Sequence, residues 1–126
     1  MKLPLLAATF ALSALLAGAP ALASLDTVIG PRVVVQNQPI SDCSSRASSA
    51  LKSAMPEVNE AGTGSGEWVG VIRDASGAPS ATAVIECHTL PDGYAASFTC
   101  LVQVPPSDTA SVLCQKLSTA FGGGAQ

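Results

Sequence analysis

Cysteines at 43, 87, 100 and 114, a lone histidine at 88 and nine acidic residues are the groups in this 126-residue chain able to bind metal, exchange electrons or move protons. The densest cluster is CHTLPDGYAASFTC, residues 87–100, with a cysteine at each end and His88 beside the first. A structural zinc site wants four ligands at short spacing, and a thiol–disulfide exchanger wants Cys-x-x-Cys. The chain has neither Cys-x-x-Cys nor a second histidine. A serine hydrolase would need a base near its nucleophile, and no Gly-x-Ser-x-Gly elbow exists. GTGSG at 62–66 hints at a phosphate cradle, but no Lys-Ser/Thr pair or helix start follows it. Glu57 with Glu60, and Asp42 with Asp108, read as solvated or capping carboxylates. The expectation is no catalytic constellation, no cofactor and no metal.

How the cysteines are used depends on compartment, and the N-terminus speaks to that. Met1 and Lys2 precede an apolar run ending in Ala21-Leu22-Ala23. This is the pattern of a secretory signal cleaved after Ala23. The expected product is exported to the periplasm or outside the cell, soluble, with no membrane span after processing. Removing residues 1–23 leaves 103, enough for one domain. Five basic residues then face nine acidic ones, a formal charge of −4. That balance argues against nucleic acid and against an anionic membrane surface, which need clustered Lys and Arg.

Only Trp68, Tyr94, Phe98 and Phe121 remain as aromatics after processing, and much of the other apolar content is Ala and Val. Such residues bury little area each, so the core is thin for its length. Four exported cysteines then read as two disulfides.

The elements follow from periodicity and punctuation. Val33-Val34-Val35, set between Pro31 and Asn37, predicts one strand. SDCSSRASSALKSAM predicts an amphipathic helix from about 42 to 55, capped by Ser41 or Asp42, with Cys43, Ala47, Ala50, Leu51 and Ala54 on one face. Residues 57–66 read as a Gly-rich polar loop, and EWVGVIR at 67–73 as a strand. Two further strands, ATAVIECH and YAASFTCLVQV, flank TLPDG, where Asp92-Gly93 is a hairpin signal. The last helix is capped by Ser107 or Asp108 and carries Ala110, Leu113, Cys114, Leu117, Ala120 and Phe121 on its stripe. A flexible Gly-rich tail is expected at 122–126.

With Asp92 and Gly93 as the loop, Cys87 would face Phe98 and Ile85 would face Cys100. Strand alternation then puts Ile85, Cys87, Phe98, Cys100, Val102 and Val104 on one face, and Thr82, Val84, Glu86, His88, Ser97, Thr99, Leu101 and Gln103 on the other. The thiols turn inward and His88 outward. The predicted fold is a small single α+β domain at 24–121, order β-α-β-β-β-α. Its sheet is antiparallel-rich, with two helices on one face and two disulfide staples. The preferred pairing is Cys43–Cys87 with Cys100–Cys114. The swapped pairing, Cys43 with Cys100 and Cys87 with Cys114, stays open. The third needs the two helix cysteines to meet.

The strand, Pro-Asp-Gly turn, strand and capped helix over about residues 80–121 resemble the C-terminal domains of TonB and TolA proteins, which are periplasmic contact modules. No activity or residue role is carried across on that likeness. Trp68, Arg73, Glu86, His88, Tyr94 and Leu101, on or beside the sheet, are the candidate contact surface. The expected function is a non-catalytic binding domain whose partner is another exported protein or a second copy. The alternative is a small-ligand-binding protein or minor enzyme with the 57–66 loop as a lid over a pocket lined by Trp68 or Tyr94.

Overall fold

The computed structural model describes residues 24–122. The expected signal segment at 1–23 and the tail at 123–126 lie outside the described residues. Eight elements follow in the order β1 (Ser24–Ile29), β2 (Val33–Gln36), α1 (Ile40–Ala54), β3 (Glu57–Glu60), β4 (Glu67–Arg73), β5 (Pro79–Leu90), β6 (Gly93–Val104) and α2 (Ala110–Phe121). The six strands form one antiparallel sheet, ordered β1-β6-β5-β4-β3, with β2 pairing β6 along the same edge as β1. This is the predicted α+β architecture enlarged by two strands.

Both additions escape a hydrophobicity reading for physical reasons. β1 has its pattern inverted. Its outward residues Leu25 and Ile29 are apolar, while inward Asp26 accepts a hydrogen bond from the Ala110 N–H at 2.7 Å at the start of α2. β3 has one apolar residue, Val58, packed against the core. Glu60 turns back to hold the loop that follows it.

Helix boundaries also move. α1 begins at Ile40, earlier than a cap at Ser41 or Asp42 implies, with Pro39 in the N-cap position and Asp42 in the first turn. In α2 the cap is Thr109, whose side chain accepts from the Val112 N–H, rather than Ser107 or Asp108. The buried stripe of α2 takes Ser118 and leaves Ala120 exposed.

The hairpin register shifts by two residues. Pro91 and Asp92 form the loop, Leu90 pairs with Gly93, and Ile85 rather than Cys87 faces Phe98. A slip of two preserves parity, so every side chain stays on its predicted face. The register is set from outside the hairpin. β2 runs against Gly93 so closely that a Cβ there would collide with the Val35 carbonyl oxygen. The Asn37 N–H donates to the Asp92 carbonyl at 2.7 Å, binding the turn to the end of β2.

Both helices cover one face of the sheet. Ala47, Ala50, Leu51, Ala81, Ala83, Ile85, Ala96, Val102 and Leu117 fill the space between, with Phe121 edge-on to Phe98 at 5.6 Å and to Tyr94 at 6.4 Å. Alanines let the layers approach, at the expense of buried area per residue. Cys43–Cys87 fastens α1 to β5, and Cys100–Cys114 fastens α2 to β6. The bridges close separations of 44 and 14 residues. Loop entropy then values them at about 4 and about 3 kcal/mol.

Urea unfolding of Cys43→Ala/Cys87→Ala and of Cys100→Ala/Cys114→Ala should show the first pair losing about 1 kcal/mol more than the second. Equal losses would mean that local packing, rather than chain entropy, sets the value of these bridges.

Candidate functional site

With the helices on one side, the opposite face of the sheet carries no covering element among the described residues. Register fixes its composition. Thr27, Leu101, Thr82, Val71 and Glu57 lie in one row across five strands, and Ile29, Thr99, Val84, Val69 and Asn59 in the next. The central hairpin alone looks mostly polar on this side, as its sequence predicts. Flanking β4 and β1 add Val69, Val71, Leu25 and Ile29, and the face becomes a β-branched strip that is half apolar across these two rows. Such a strip is unusual for a surface in contact with water alone.

Polar groups border the strip. Glu86 sits directly opposite Glu67, two carboxylates on neighbouring strands of one face. Like charges in that relation repel. His88, exposed, makes a 2.9 Å hydrogen bond between its Nε2 and Ser97 Oγ on β6. Arg73 Nε and the Glu57 carboxylate pair at 2.8 Å, a second bond joins the Arg73 Nη2 to the same carboxylate, and Arg73 Nη1 donates to the Gly77 carbonyl. The bonds from Arg73 hold the Glu57 carboxyl below its usual value and lift Arg73 above its own.

Of the six predicted surface residues, Arg73, Glu86, His88 and Leu101 therefore share the open face. Trp68 and Tyr94 do not, and this corrects the sequence reading. Trp68 pairs with Ile85 and packs half-buried against the core beneath the helices, its Nε1 buried without a hydrogen-bond partner among the described residues. Tyr94 is wholly buried on the helix side of β6. Its hydroxyl donates to Asp42 at 2.6 Å, and Asp42 also pairs with Arg46 at 3.0 Å. Parity assigns both aromatics to the inner face; what misleads is their polar atoms, which suggest exposure. The residues missed were Val69, Val71 and Glu67, and strand alternation in EWVGVIR is the signal that would have found them.

The glycine-rich loop is latched. The Gly64 and Gly66 N–H groups, both glycines at positive φ, donate to the two oxygens of Glu60 at 3.1 and 3.3 Å. Two donors that a phosphate would use are thus spent on the chain's own carboxylate. A groove of about 540 Å³ lies elsewhere, floored by Ile72, Ala81 and Val102 and rimmed by Ser53, Asp108 and Lys116. It opens near the Ile72 end of β4, away from the loop that enters the strand at Glu67, and neither Trp68 nor Tyr94 lines it. No group of three or more potential metal ligands occurs among the described residues, and no helix there is long and apolar enough to cross a membrane.

Burial, and then the hydrogen bond to Asp42, push the Tyr94 hydroxyl up to about 12. A raised value means the folded state favours the neutral phenol. The stability this supplies is complete below the unfolded value near pH 10 and is lost as pH rises toward 12. Tyr94 is the chain's single tyrosine. Absorbance titration of the folded protein should therefore show one transition displaced upward, and Tyr94→Phe should remove the alkaline loss of stability; a transition near 10 in the folded state would contradict the contact. Comparison with family models, with curated proteins and with solved structures yields no match.

Proposed function

We propose that this chain is a small exported, non-catalytic binding domain that holds a protein partner on the open face of its sheet. The observation that supports the reading is the apolar strip Val69, Val71, Val84 and Leu101, uncovered while the opposite face carries both helices. A rigid, flat, half-apolar sheet suits contact with another apolar surface. The Glu67–Glu86 pair adds direction to the choice of partner. Two facing carboxylates gain when a cation comes between them, so the partner presents an apolar strip flanked by lysine or arginine. Two intramolecular disulfides and the N-terminal signal pattern support export.

Cross-linking or pull-down from the exported fraction should recover a partner whose capture weakens with salt. The double change His88→Ala with Leu101→Glu should abolish capture without unfolding, since both side chains are exposed. Capture that survives this double change would remove the face from consideration.

A further inference from the structure

The two edges of the sheet are built differently. β3, at one edge, is four residues long, follows Pro56, and carries Glu57, Asn59 and Glu60. Short length, charge and a flanking proline are the devices that keep an edge from pairing with another strand. β1, at the other edge, is less guarded: its flanking proline, Pro31, stands two residues beyond its end, and no charge lies on its open-face side. It is six residues long, and its one charged group, Asp26, is turned inward and engaged with the Ala110 N–H. Leu25 and Ile29, on the open face, are 68% and 78% exposed.

Backbone direction along β1 can be read from its end. The Gly30 N–H donates to the Phe98 carbonyl on β6 at 2.8 Å. Antiparallel ladders alternate, so the even-numbered residues of β1 address β6. Leu25, Thr27 and Ile29 then direct their N–H and C=O groups away from the sheet. Pro31 limits the free edge to this stretch.

We infer that β1 is a self-association edge, where a second copy of this chain adds its own β1 antiparallel about a two-fold axis through Thr27. In that register Thr27 meets Thr27 of the second copy and the two exchange both backbone hydrogen bonds. Leu25 meets Ile29, and Ile29 meets Leu25, on the open face. Asp26 meets Val28 and is kept from facing its own counterpart. The strand is thus self-complementary about its midpoint, as an isologous contact requires. The odd spacing of outward groups places all three facing pairs at hydrogen-bonded positions. This occupant follows from the edge and does not rest on the open-face reading. It does join two open faces into one continuous surface.

One strand pair is a small interface, so the dimer is expected to have a dissociation constant on the order of micromolar. The test is sedimentation equilibrium of the full chain, expressed for export with both disulfides formed, from ~1 µM to ~1 mM. The mass should rise from one chain to two across that range. Thr27→Pro removes the donor on the axis, and Leu25→Lys/Ile29→Lys places like charges across it. Each should weaken association at least about tenfold, while Thr27→Val leaves it unchanged. The lysine pair decides the matter alone if Thr27→Pro does not fold, because both side chains are exposed. A chain that stays single to the highest concentration overturns the inference, including the case in which residues before Ser24 cover the edge. A dimer indifferent to the lysine pair also overturns it, since another surface must then hold the copies.

Discussion

The attachment of two helices to one hairpin governs the rest of this structure. β5 and β6 form the middle of the sheet, and each sends one thiol through the inner face to a helix. Between those covalent points the packing uses many alanines, which bring helix and sheet close but contribute little buried area individually. A layer of that kind is easily displaced. Fixing Cys43 to Cys87 and Cys100 to Cys114 holds α1 and α2 where Phe121 can meet the rings of Phe98 and Tyr94. Because the helices are committed to one face, the other face is left open.

Three carboxylates do a second kind of structural work. Asp26 receives the first N–H of α2, Asp42 receives the Tyr94 hydroxyl, and Glu60 receives two N–H groups of its own loop. Each accepts from donors that would otherwise compete for water at a place where the chain changes direction. Charge-assisted bonds of this type are stronger than neutral ones. They account for three of the nine acidic residues without invoking proton transfer. The acids left over on the open face, Glu67 and Glu86, are the pair whose proximity has no internal compensation.

Sidedness was legible in the sequence because it depends only on parity. Every β5 and β6 residue assigned a face kept it although the register moved by two, and that sidedness pointed to one bridge from each helix to the sheet while leaving the preferred and swapped pairings both open. Less legible was anything decided by a neighbour distant in sequence. Gly93 looked like a turn residue and is instead the place where β2 passes; that information resides in Val35 and Asn37. The strand around Asp26 went unread because the partner that accommodates its carboxylate lies at Ala110. Trp68 and Tyr94 looked like surface groups because their polar atoms are visible in the sequence and the covering helices are not. The open face was underestimated for a similar reason: its apolar character emerges only when β1 and β4 are laid beside the hairpin.

The order of the bridges along the chain has one more implication. The first cysteine joins the second and the third joins the fourth, so the two covalent loops lie one after the other, neither nested nor crossed. A chain emerging from its N-terminus meets each cysteine's correct mate as the next thiol to appear. Oxidation in order of arrival therefore yields the native pairing, without a transient wrong bond that an isomerase must undo. For a domain this thin, oxidation in chain order anchors α1 before Cys114 of α2 is engaged.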